Sequence, residues 1–170
     1  MARASTGRPA LRLITPLEHE APAPLVAFCS HCGTRPTPPP EGAAATHSRV
    51  CASCGLGLIL ESPADVAPSA GDAFLVLDHS LAVCAMSEAA ERLLAASEPD
   101  VVNRHVSDLL MPAGAEEKNG AGLSAAVAWA ARGDVGTRTA VVRPANTFGI
   151  RLTARIASCG PPRAALLVLE

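Results

Sequence analysis

The chain has 170 residues, 49% of them apolar, with 16 acidic against 14 basic side chains and a formal net charge of −2. That length holds one ordinary domain plus a small module, and that apolar share is ample for a core. A balance so near zero does not announce a nucleic-acid binder, and the longest apolar runs, such as residues 164–169, are of strand length and far short of a membrane span.

The charge is uneven along the chain. Residues 1–60 carry five arginines (Arg3, Arg8, Arg12, Arg35, Arg49) against three acids (Glu18, Glu20, Glu41), a balance of +2, and residues 61–170 carry nine basic and thirteen acidic side chains, a balance of −4. Residues 1–24 hold Pro9, Pro16, Pro22 and Pro24 with little periodicity and read as an extended tail. The first nine residues lack the apolar run of a secretory signal, so a reduced, cytoplasmic setting is expected.

Residues 25–60 contain the sharpest signal. Cys29-Ser30-His31-Cys32-Gly33 and Cys51-Ala52-Ser53-Cys54-Gly55 are two C-x-x-C-G knuckles, with 18 residues between Cys32 and Cys51. Two intervening residues let both sulfurs of a knuckle face one ion, and each trailing glycine permits a positive-φ turn that aims backbone N–H groups at the sulfurs. Four thiolates at Cys29, Cys32, Cys51 and Cys54 fill a tetrahedral zinc shell and leave no place for a reactive water, so the expected role is structural. Iron is the alternative ion, since similar paired knuckles occur in rubredoxins, whose sites are ringed by aromatic residues; here Phe28 alone lies nearby. His31 and His47 are expected at the surface. Pro36, Pro38, Pro39 and Pro40 mark a loop, and short strands are expected at residues 49–50 and 56–60. A module this small needs its ion to fold.

Residues 61–71 read as a linker, and a mixed α and β domain is expected over residues 72–170. A hairpin spans residues 73–77 and 81–86, Ser87 caps a helix with Ala90, Leu93 and Leu94 on one face, and a loop runs through Pro99-Asp100. A helical turn around residues 106–110 ends at Pro112, a longer helix runs from Gly122 to Arg132, and three strands follow at residues 137–143, 148–157 and 163–169.

That order resembles a PAS domain. The phrase AFLVLDHSLAVCAMSEAAERLLA is similar to the opening hairpin and first helix, and VVNRHVSDLLMP to the segment before the connecting helix. Ser87 stands where many PAS domains have asparagine, and Asn103 where glycine is frequent. The resemblance implies an α+β fold: a five-stranded antiparallel sheet of order 2-1-5-4-3 with helices on one face, preceded here by the zinc ribbon. On the fourth strand Ile150, Leu152, Ala154 and Ile156 then point inward. The two central strands are apolar on both sides, so the outer sheet face needs a cover, either a second subunit or the segment around residues 10–28.

The resemblance further implies sensing or protein interaction, with a small ligand, if one is bound, lined by Phe74, Val76, Val83, Leu94, Leu109, Val127, Leu152 and Ile156. The same eight residues make an ordinary packed core. Haem and flavin are not expected, because the connecting helix has no histidine and no Asn-Cys-Arg phrase is present. Cys84 and Cys159 read as small buried or turn residues. No phosphate-cradling glycine motif, G-x-S-x-G or H-E-x-x-H occurs, so an enzyme is not expected. The last strand leads straight to Glu170, which leaves the ribbon as the expected output module. The expected function is noncatalytic regulation, with the ribbon contacting a protein partner; a nucleic-acid contact through the N-terminal arginines and an iron-thiolate redox protein are the alternatives.

Overall fold

Leu25-Val26-Ala27-Phe28-Cys29 is short, apolar and bounded by prolines upstream and a tight turn downstream, which suits a strand entering the first knuckle. The computed structural model describes residues 23–36, 49–113 and 122–170; the tail through residue 22, His47 and three of the loop prolines lie outside them. There β1 (Leu25–Cys29) pairs antiparallel with β2 (Ile59–Pro63), Cys29 opposite Ile59 and Leu25 opposite Pro63. The strand pair differs from the one read in the sequence. Val50 makes an isolated bridge to Leu58, while β2 continues past residue 60 into the segment read as a linker.

The larger sheet contains β3 (Ala73–Leu77), β4 (Val83–Met86), β5 (Leu110–Pro112), β6 (Arg138–Pro144), β7 (Leu152–Cys159) and β8 (Ala164–Leu169). Every neighbouring pair is antiparallel, and the strand order is β4-β3-β8-β7-β6-β5. Without β5 this is the 2-1-5-4-3 order that the PAS resemblance implies. The added edge strand corrects the expected five-stranded count: the helical turn stops at Asp108, and Leu110-Met111-Pro112 pairs with β6 instead. Proline is tolerated there because an edge strand has an open side where a missing N–H breaks no ladder bond.

Among the described residues, the helices α1 (Glu88–Leu94), α2 (Glu98–Val101) and α3 (Leu123–Ala131) cover one sheet face. The α2 turn replaces the expected loop, and Pro99 sits in its first turn, where a proline costs no helical hydrogen bond. Ser87 caps α1 by accepting from Ala90 N at 3.2 Å. It also ties α1 to β3, accepting from Phe74 N at 3.0 Å and donating to Asp72 O at 2.9 Å. Asn103 has φ +67°, a left-handed conformation that glycine supplies freely and asparagine tolerates.

Leu75, Leu77, Ile156, Leu167 and Leu169 point from the sheet into a core with Ala90, Leu94, Val127 and Ala130. The expected inward set on the fourth strand loses one member. β7 begins only at Leu152, behind a turn with Gly149 at φ +86°, so Ile150 is exposed ahead of the alternating stretch.

The opposite sheet face is covered by the chain itself. Phe28, Leu60 and Val66 pack with Phe74, Val76, Ala157, Ala164, Leu166 and Val168. The Phe28 ring meets Phe74 edge-on, centroids 6.0 Å apart and planes at 88°. The end of the expected covering segment, at Phe28, lies on this face together with Leu60 and Val66. Val66, within the stretch read as a linker, is fully buried in the same cluster.

Candidate metal centre

Both knuckles fold into the same turn. Gly33 N donates to Cys29 O at 3.0 Å with Gly33 at φ +70°, and Gly55 N donates to Cys51 O at 2.9 Å with Gly55 at φ +69°. The positive φ is what a Cβ would penalise, which is why glycine closes each C-x-x-C. Ser30 then joins the first knuckle to the segment of the second, its N donating to Leu58 O at 2.8 Å and its Oγ accepting from Leu58 N at 3.0 Å, while Cys51 N donates to Gly57 O at 2.8 Å and closes the second knuckle on itself. Gly57 lies directly against Cys29 Sγ, so any side chain at that position would strike the sulfur.

The outcome is a four-sulfur cluster. The Sγ atoms of Cys29, Cys32, Cys51 and Cys54 all lie within 4.8 Å of one another, with 3.6 Å between Cys29 and Cys54 and 3.9 Å between Cys32 and Cys51. A tetrahedron with metal–sulfur bonds of ~2.3 Å has edges of about 3.8 Å. Disulfides need sulfurs about 2.05 Å apart, and all four cysteines are free. The donor set therefore fits a soft or borderline metal ion held in a closed shell.

Backbone N–H groups point at the sulfurs as the spacing implies. His31 N and Cys32 N donate to Cys29 Sγ at 3.4 and 3.5 Å, and Gly57 N donates to Cys54 Sγ at 3.5 Å. The thiols are electrostatically unequal. The N–H groups of Gly57 and Leu56 bring Cys54 down to about 6, whereas burial pushes Cys29 up to about 12. Burial also acts upward on Cys51, but the N–H groups of Cys54 and Ser53, with Cys29, outweigh it and bring that thiol below its ordinary value. Four packed thiolates repel one another, so a cation is what allows all of them to ionise together.

His31 turns away from the sulfurs. Its Nδ1 lies 3.1 Å from Glu98 Oε2, and Glu98 Oε1 accepts from Met86 N at 3.0 Å, linking the first knuckle to α2 and β4. The C-S-H-C phrase gave no sign of this partner, because Glu98 is 67 residues away in sequence. Leu60 is the other residue whose role the sequence hid; its apolar character was legible, but not that it packs on the outer sheet face beside Phe28.

The eight residues read as a ligand lining divide between two faces. Val83, Leu94, Leu109, Val127 and Ile156 are buried on the helix side, with Leu152 at the margin of that core. Phe74 and Val76 belong to the outer cluster under the ribbon. Alternation along β3 sends Leu75 and Leu77 toward the helices and their neighbours the other way.

Fold and site together define an α+β protein: a sheet of PAS-like strand order whose outer face carries a four-cysteine ribbon suited to a metal ion. Among solved structures, the PAS domain of nitrogen regulation protein NR(II) from Vibrio parahaemolyticus is similar, at 18% identity and a TM-score of 0.39, over 59% of this chain and 88% of that domain. No family model matches the chain, and no curated protein matches it. No helix among the described residues is long and apolar enough to cross a membrane.

Proposed function

We propose that this chain is a noncatalytic sensory or regulatory protein in which a PAS-like domain carries a structural zinc ribbon, and that the ribbon presents a surface to a protein partner. The observation that carries this reading is the convergence of four sulfurs within 4.8 Å on a ribbon packed against the sheet. A closed four-thiolate shell supplies charge neutralisation and a cross-link between two chain segments, with no open position for substrate. Cys29 and Cys32 hold the ion from one knuckle, Cys51 and Cys54 from the other. Beside the second knuckle Val50, Leu56 and Leu58 are exposed apolar residues, a character that suits protein contact better than phosphate contact.

Native mass spectrometry of the intact protein tests the reading, since it reports metal, retained small molecules and subunit count together. One zinc per chain in a colourless sample is the expected result. A visible thiolate-to-iron absorption would make the site an iron centre, and protein that binds no metal at any concentration would overturn the proposal.

A further inference from the structure

We propose that the ribbon is a metal-locked cover on the outer face of the PAS-like sheet, and that losing the metal lifts it and bares that face. The inference rests on the reading above that the four thiolates hold a metal ion.

The plug and the ligand are neighbours in the chain: Phe28, fully buried against Phe74, directly precedes Cys29. Leu60, the second plug residue, pairs with Phe28 across the ribbon, so both are positioned by the same two strands. A two-stranded ribbon is marginal by itself, and the burial of two large side chains does not offset the ordering of residues 25–36 and 49–63. The ion joins those two segments at four sulfurs, and without it the cover loses the cross-link that keeps Phe28 and Leu60 in register.

Polar ties flank the plug. Glu61 N donates to Gly160 O at 2.6 Å and Gly160 N to Glu61 O at 3.0 Å, Arg49 Nη2 donates to Pro161 O, His31 meets Glu98, and Arg35 Nη2 donates to Ala67 O at 3.1 Å in the connecting segment. Beneath the cover lie Phe74, Val76, Leu166 and Val168, an apolar strip on the two central strands.

The chain contains its own reporter. Cys159 is buried in the cluster beneath the ribbon, and burial pushes its thiol up to about 12, whereas Cys84 is exposed. In a chain bearing Cys29→Ser, Cys32→Ser, Cys51→Ser and Cys54→Ser, these two are the remaining thiols. Maleimide labelling of the native variant, counted by intact mass, is expected to give two adducts. One adduct, with Cys159 still protected, would overturn the proposal. The fluorescence of Trp129, the single tryptophan, on α3, reports whether the domain itself stays folded.

Phe28→Glu in the otherwise unaltered chain provides a second arm if the four-serine variant does not fold. It is expected to retain its metal while the labelling of Cys159, read by peptide mapping, rises about tenfold. Retained metal with unchanged Cys159 labelling would overturn the cover. Metal analysis of the wild-type protein separates the two ideas. A metal-free preparation with Cys159 protected overturns both, whereas one metal per chain with Cys159 equally open before and after chelation overturns the cover alone.

Discussion

The ribbon and the larger α+β domain solve the same problem in opposite ways. The domain closes a sheet over its helices and buries Leu75, Leu77, Ile156 and Leu167 between them, so its stability comes from apolar area removed from water. The ribbon places sulfurs at its centre and turns Phe28 and Leu60 outward, where they are buried against its neighbour. One region is held by its core; the other has a four-sulfur cluster suited to an ion and a host to pack against. A module this small needs such a staple, because too little chain surrounds its interior.

The largest effect that can break this contrast is metal removal. Chelation is expected to forfeit the metal-coupled folding free energy, on the order of 10 kcal/mol in structural zinc sites. Amide exchange in β1 and β2 is then expected to become fast while β3 and β8 stay protected; simultaneous loss in both regions would show one cooperative unit. Next in size, Leu167→Ala opens a cavity between sheet and helices and is expected to cost about 3 kcal/mol by urea denaturation, with metal content unchanged. Ser87→Ala removes an acceptor for two backbone N–H groups and a donor to Asp72 O, with an expected loss of about 2 kcal/mol in the same assay.

A smaller, pH-dependent effect belongs to the domain alone. Burial acts upward on Asp78, but the Ser80 hydroxyl and the N–H groups of Ala82 and Ser80 outweigh it and hold the carboxyl below its ordinary 3.8. A group depressed in the folded state stabilises above its unfolded value and loses that contribution as pH falls through the folded one. The stability advantage of wild type over Asp78→Asn, about 1 kcal/mol near neutral pH, is therefore expected to shrink below pH ~4. Last, His31→Ala removes a partly exposed pair to Glu98 and is expected to change stability by about 0.5 kcal/mol, leaving Cys159 protected. A large rise in Cys159 labelling there would move the docking force from the plug to the ion pair.

The four-cysteine cluster was legible because C-x-x-C-G is a local code: cysteine spacing and the glycine turn are settled within five residues of each other. Strand order was legible through the resemblance carried by residues 72–170. The edge strand at Leu110 was not, since three residues ending in proline become a strand only when β6 lies alongside. Nor was the start of β7, where alternation continued backward through Ile150 while the chain had already turned away at Gly149.

By itself the sequence determined the four sulfur donors, the caps and turns, and the apolar character of both faces of β3 and β8. Only the tertiary structure decided what lies on each face: helices over Leu75 and Leu77, the ribbon over Phe74 and Val76, and Glu98 beside His31. The physical reason is that period-two alternation fixes which side chains share a face but carries no information about which distant segment comes to cover it.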